Sequence, residues 1–386
     1  MIKFKISAPG RIVLSGEHSA TYGKHYVATS LNRRTKLIFY ELPDKNKIEI
    51  DFSQVKLKLN IPLEEVRGFL SQKNDIKSNP INVLNYVKSL ITLNGMWRTF
   101  EQRFSLKIFF FMLYTIAYKE TLDITSFHVR VSTNIYMGAG LGSSTSFAVC
   151  LAACFIHWKN LQTGHSIQFS NNKFLKKVET YVSFCETFLH SYEFIYTTTT
   201  ADVNICVYGN TVKSRLVDHI NIDPLFAKMA KMTILLIKSN ICLKKSEQAK
   251  KMANLEYESP QFYSILNQFD DVALILFDGL VSVNDRNLEY QDQMYYYNRL
   301  QACIGWNQQL LSTSKLSDEA FDNICAFANN IGLQGKLTGF GAGFVYILLP
   351  PNITNQEVEN IRNYFRGQNF DAKPISINCD GFYVLM

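Results

Sequence analysis

Three glycines and four hydroxyls fall within nine residues of this chain, Gly138-Ala139-Gly140-Leu141-Gly142-Ser143-Ser144-Thr145-Ser146. Glycines let backbone N–H groups approach a ligand closely, and the first turn of a helix offers unpaired donors at the positive end of its dipole. That combination suits an anion, a phosphate chain above all. The spacing is neither the GxxxxGK[ST] of the common nucleotide loop nor the GxGxxG of a dinucleotide fold, because serines follow Gly142 where those motifs need Lys or a third Gly. A different phosphate-binding loop is implied; the plainer alternative is a glycine turn capped by serine.

Other residues could join that chemistry. A second glycine cluster, Gly339, Gly341 and Gly343, follows Lys336 in KLTGFGAG. Two glycine loops, one in each half, suit a ligand held from both sides, although a tight turn before a strand would read the same way. Glu186 lies among Val182, Phe184, Cys185 and Leu189, and Asp202 in Ala201-Asp202-Val203-Asn204. A carboxylate in such a setting is costly unless it finds a cation. Near the start, Arg11, Glu17, His18 and Lys24 surround the breaks at Pro9-Gly10 and Gly16, which read as a hairpin or as a solvated edge.

The elements that must place these residues follow from periodicity. Phe127, Val129 and Val131 alternate as in a half-buried strand leading into the glycine loop, and Phe147–Trp158 is an apolar helical run leading out. Strands are expected over Thr35–Glu41 and Lys47–Asn60, and a helical region over Ile81–Tyr118, where Phe104, Ile108, Phe111, Thr115 and Tyr118 repeat at helical spacing as core rather than as a cofactor box. Asn171–His190 reads as the helix carrying Glu186. Strands near Val212–Val217 and Met232–Ile237 lead to a boundary near 215–231, giving two domains, 1–220 and 221–386. Helices over Lys245–Ala253, Pro260–Phe277, Asn287–Leu311, Asp318–Ile331 and Gln356–Arg366 then mix with strands at Phe344–Leu349 and Tyr383–Met386, an α+β arrangement.

Composition narrows the class. With 386 residues, 47% hydrophobic and 19% charged, the chain can bury a large core. The apolar run Ile108–Tyr118 is too short to cross a bilayer, and the amphipathic start MIKFKIS is a first strand rather than a leader, so a cytoplasmic protein is expected. Eight scattered cysteines show no CxxC pair and read as reduced core residues. The net charge of +7 is dispersed with no basic stripe, which argues against nucleic acid as a partner and agrees with an anionic substrate.

Together, APGRIVLSGEH (8–18), GAGLGSS (138–144) and KLTGFGAG (336–343) resemble the three signature motifs of the galactokinase, homoserine kinase, mevalonate kinase and phosphomevalonate kinase superfamily, with GEHSATYGK, GLGSS and KLTG most similar to its mevalonate kinase branch. The resemblance implies a two-domain α+β kinase with a ribosomal-protein-like N-terminal and a ferredoxin-like C-terminal domain, an active site in the cleft between them, and transfer of the γ-phosphoryl group of ATP, with Mg²⁺, to mevalonate. Small-molecule substrates, no nucleic acid, no membrane and a homodimer are the partner expectations. Residue by residue it assigns Asp202 and Arg11 to catalysis; Arg11, Gln54, Thr133, Gly138, Ala139, Gly140, Leu141, Gly142, Ser143, Ser144, Thr145, Gly339 and Gly341 to ATP; Glu17 and His18 to the substrate; and Ser144 and Glu186 to the metal. The chain departs from the branch at Arg11, where mevalonate kinases usually carry Lys and galactokinases Arg, at Tyr136-Met137 in place of a proline pair, and at Thr198-Thr199-Thr200 in place of a Pro-Ser-Gly turn. Those departures leave two other readings: a kinase for a sugar or a phosphorylated mevalonate, and a nucleotide-binding regulator without turnover.

Overall fold

The computed structural model describes all residues except 44, 72–73, 165–171, 194–199, 218–219, 240, 242, 286, 340–342 and 386. The chain opens with strands β1 (Lys3–Ser15) and β2 (His25–Glu41), an antiparallel pair. Pro9-Gly10 does not end β1 as the sequence suggests: the pairing slips between Pro9 and Arg11 and resumes, a bulge in place of a break. Next come β3 (Lys47–Phe52) and β4 (Leu57–Pro62), a hairpin where one strand region is expected, closed by a short turn of helix at Ser53–Val55.

Two short helices, α1 (Leu63–Arg67) and α2 (Asn74–Ser78), precede α3 (Pro80–Leu93) and α4 (Phe100–Glu120), so the expected continuous helical region is two helices. Asn79 caps α3 with Pro80 at its first position, while Thr99 and Gln102 cap each other's backbone at the start of α4, which fixes where the second helix begins. Strand β5 (Phe127–Thr133), helix α5 (Ser143–Gln162), helix α6 (Asn172–Glu193) and helix α7 (Thr200–Tyr208) complete the first half.

A hairpin of β6 (Thr211–Val217) and β7 (Ile220–Ala227) hangs on β2, and β8 (Met232–Lys238) starts the second half. Helices α8 (Lys245–Glu258), α9 (Phe262–Val283), α10 (Tyr290–Thr313) and α11 (Glu319–Asn329) follow. The chain ends with β9 (Gly335–Leu337), β10 (Phe344–Leu348), α12 (Asn355–Gly367), β11 (Ala372–Ile377) and β12 (Tyr383–Leu385).

The described strands join in one mixed sheet ordered β4-β3-β5-β2-β11-β8-β10-β9, with β1 and the β6–β7 hairpin also on β2, and β12 returning to β1. Among the described residues two large apolar cores sit on it, with a smaller cluster that includes Val13, Tyr26, Ala201 and Ile205. The first is built around α3 to α6 and includes Phe109, Phe110, Phe155 and Trp158; the second is built around β8, β10 and α9 to α11. Strands β1 and β2 feed both, Phe4, Ile6 and Phe39 to the first and Ile12, Leu14 and Val27 to the second.

Candidate functional site

The glycine loop begins where β5 ends and runs into α5. Gly138, Gly140 and Gly142 all hold positive φ, at 70°, 69° and 73°, a region open to glycine and strained for other residues. The helix starts earlier than its apolar run suggests: Gly142 is its cap and Ser143, Ser144 and Thr145 form its first turn, so the hydroxyls stand among the unpaired N–H groups. Thr145 is buried, and Ser146 donates through Oγ to the carbonyl of Ala8 at 2.8 Å. Ala139 and Leu141 are buried in the second core.

The loop is clamped from behind by β1. The Arg11 N–H donates to the Leu141 carbonyl at 3.0 Å, and its Nη1 donates to the Gly140 carbonyl. A Cβ on Gly142 would lie 2.9 Å from Arg11 Cγ, and one on Gly10 2.7 Å from the Leu141 carbonyl oxygen. The close fit of two chain segments therefore needs both glycines.

Arg11 also reaches Asp202 in two places, Nη2 to Oδ2 at 2.7 Å and Nε to Oδ1 at 2.6 Å. Nη2 makes the hydrogen bond and Nε an ion-pair contact, a two-point grip that suits the planar guanidinium. Asp202 is buried and lies in the first turn of α7, where the helix dipole favours a negative charge. Burial pulls the Arg11 guanidinium down, but the charge and hydrogen bond of Asp202 outweigh it and leave the pKa raised.

Glu186 is buried on α6. The buried Cys206 thiol is pushed up first by burial, then by the negative charge of Asp202 and, after the opposing Arg11, that of Glu186, so the fields of both sequence-assigned acids act on one thiol. The seven described cysteines are buried free thiols.

In front of the loop lies a cavity of about 560 Å³ lined by Gln54, Thr133, Gly138, Ser143 and Ser144 together with Phe52, Phe100, Phe104, Ile108, Met137 and Phe147. Five residues assigned to ATP from sequence therefore share one wall. The apolar lining includes Phe104 and Ile108, expected as core: Ile108 is buried in the first core and Phe104 packs against it, and both also border the cavity, a second role that the sequence reading does not contain. Phe100, Glu101, Phe104, Ser105 and Ile108 all line it from one stripe of α4. An apolar residue exposed in a first helical turn, Phe100 at 59%, was the available signal.

Glu17 and His18 do not line this cavity. Glu17 pairs through Oε1 with Lys336 Nζ, in a pair whose side chains are 3% and 0% exposed. His18 is buried, and burial leads the causes that push its imidazole down to about 4, so it is neutral at neutral pH. Gly339 holds a φ of 79° just after β9; Gly341, Thr198 and Thr199 lie outside the described residues.

Of the residues expected to hold a metal, Ser144 has its hydroxyl on the cavity wall and Glu186 is a buried carboxylate, both oxygen donors of the kind a hard divalent ion would take. No group of three or more His, Cys, Asp or Glu suited to a metal occurs among the described residues.

Comparison with known proteins bears on the fold and the family. Residues 108–172 match the family described as GHMP kinases N terminal domain. The chain is 24% identical to the mevalonate kinase of Homo sapiens over 389 residues, 97% of this chain and 93% of the relative. A crystal structure of a mevalonate kinase superposes with a TM-score of 0.66 at 15% identity, covering 97% of this chain and 99% of the other. The Methanococcus jannaschii mevalonate kinase does so at 0.65 and 16%, covering 97% and 98%. The motif resemblance thus extends along nearly the whole chain, the expected α+β kinase fold is the fold observed, and these relatives support a kinase enzyme.

Proposed function

We propose that this chain transfers the γ-phosphoryl group of ATP to the terminal hydroxyl of mevalonate, yielding 5-phosphomevalonate. The observation that carries the reading is the buried Arg11–Asp202 fork set directly behind the glycine loop, in a chain similar to mevalonate kinases from end to end. The purine occupies the cavity between the α4 aromatics and Gln54 and Thr133, and the phosphates lie against the Gly138–Thr145 turn.

Phosphoryl transfer is catalysed chiefly by positioning and charge stabilisation. The N–H groups of the first turn of α5 meet the phosphate oxygens. Arg11, which cannot give up its proton, holds the Asp202 carboxylate and, through Gly140, the loop, so that acceptor and phosphate cradle move as one body. Asp202 then orients the attacking hydroxyl and accepts its proton. His18, neutral and able to donate, stands at the substrate end for the carboxylate of mevalonate. Ser144 and Glu186 would hold Mg²⁺, which when bound neutralises phosphate charge.

A second reading, a sugar kinase of the same fold, is favoured by Arg11, which stands where galactokinases carry Arg. The reading includes a cytoplasmic setting; no helix among the described residues is long and apolar enough to cross a membrane. Purified protein with ATP and Mg²⁺ is expected to release ADP with mevalonate and not with galactose or 5-phosphomevalonate. Release with galactose alone would establish the sugar kinase, and no release with any of these alcohols while nucleotide still binds would leave a regulator.

A further inference from the structure

The Gly16–Ser19 turn hangs from the second half of the chain. The carbonyl of Val13 accepts from Thr338 Oγ1 at 2.9 Å and that of Leu14 from Tyr346 Oη at 2.8 Å; Ser15 Oγ accepts from Asn307 Nδ2 at 2.7 Å. Glu17 then takes Lys336 Nζ. Four donors from β9, its following residue, β10 and α10 therefore grip four residues of the first motif, Val13, Leu14, Ser15 and Glu17, and every one of these contacts is buried or nearly so. The turn also requires glycine at its start: Gly16 has a φ of 87°, and a Cβ there would stand 2.3 Å from the His25 carbonyl oxygen.

Of the four contacts only one is ionic. Burying an ion pair is a poor route to stability, because desolvation consumes most of the attraction and an apolar pair of equal volume often does as well. Lys336 is nevertheless fully buried, with its ammonium shared between Glu17 and the Leu337 carbonyl at 2.7 Å, and β9 is fixed by Gln308 Oε1 accepting from the Leu337 N–H at 2.8 Å. The cation belongs to the third motif and the anion to the first, next to His18.

We infer that Lys336 is a positioning residue of the alcohol site: through Glu17 it fixes the turn that carries His18, so that the third motif sets the placement of the alcohol while the glycine loop sets that of the nucleotide. The inference rests on the kinase reading above. It moves Glu17 from contact with the substrate to a brace behind it. Glu17 has one carboxylate oxygen on Lys336 and is almost without exposed surface, so it is poorly placed to meet a ligand.

The test uses the full chain and two variants. Lys336→Met alone leaves a buried carboxylate unpaired and is expected to lower the melting temperature strongly and the yield of folded protein with it. The double variant Glu17→Gln with Lys336→Met removes both charges and is expected to fold with a melting temperature near that of the parent. Its KM for mevalonate should rise on the order of tenfold to a hundredfold, as for a misplaced binding group, with KM for ATP unchanged. A double variant with parental KM for both substrates overturns the inference and leaves the kinase reading intact. A double variant that fails to fold also overturns it, because the pair is then a folding element. If the parent turns over another alcohol, that alcohol's KM is the quantity read; if the parent neither binds nor turns over any alcohol by calorimetry and ADP release, the kinase reading falls and takes the inference with it.

Discussion

At the scale of single residues, the Arg11–Asp202 fork separates binding from turnover. Asp202 is not among the residues that line the cavity, so its loss should spare the nucleotide, whereas the hydroxyl loses its acceptor. Asp202→Asn is expected to cut kcat by roughly 10²–10⁴-fold, the range of general base catalysis, while nucleotide affinity by calorimetry stays as in the parent. Equal losses in both would place Asp202 in the nucleotide site instead. Two histidines make a second claim. His18 and His157 are each pushed from 6.5 down to about 4, burial leading in both. Between those values the unfolded chain takes up protons that the folded chain refuses, so stability falls as pH drops through that window and is restored above it. Denaturant midpoints should therefore decline from pH 6.5 to pH 4, and His157→Leu, on the core side of α5 against Phe4, should flatten the decline.

At the scale of elements, the glycine loop and α4 make the two faces of one site, and they were not equally legible. The loop could be read because glycine at positive φ is a local demand: Gly142 must meet Arg11 at close range whatever the rest of the chain does. Gly142→Ala is expected to cost about 1–3 kcal/mol of stability through the strained φ alone and to raise KM for ATP, since Arg11 must give way; an unchanged KM would mean the loop does not touch nucleotide. The aromatic face was not legible, because Phe104 repeats with Phe111 at helical spacing and only the packing of neighbouring helices decides which of them meets solvent. Phe111 stacks on Phe184 and Phe188, while Phe104 faces the cavity. Phe104→Ala should weaken ATP binding by roughly 1–3 kcal/mol, the worth of one base stacked on an aromatic, and leave KM for mevalonate alone. Strand β11 escaped for a comparable reason: Pro374 and Lys373 break its apolar pattern, yet it pairs along its whole length with β8. The Lys336–Glu17 pair is a contact across 319 residues, and no local pattern signals it.

At the scale of the whole molecule, continuous strands join the two halves of the chain. Strands β1 and β2 run through both apolar cores, and the β6–β7 hairpin, which straddles the expected border at 220, belongs to β2. The far C-terminus closes the arrangement from the other end: β12 pairs with β1 at Lys5, Ile6 and Ser7, and Phe382 and Val384 enter the first core beside Phe4 and Ile6. Arg34 fastens the approach, donating to the Asp380 and Gly381 carbonyls at 2.9 and 2.6 Å and lying 4.6 Å over the Tyr383 ring. A chain stopped after Gly381 loses two buried apolar side chains and three ladder pairs, a loss of roughly 4–7 kcal/mol, which is a large part of the margin of any folded domain. Because β1 serves both cores, that loss should lower one cooperative thermal transition as a unit. Calorimetry showing two transitions, with only the earlier one displaced by the truncation, would mean that the cores melt independently and that the continuous strands do not couple them.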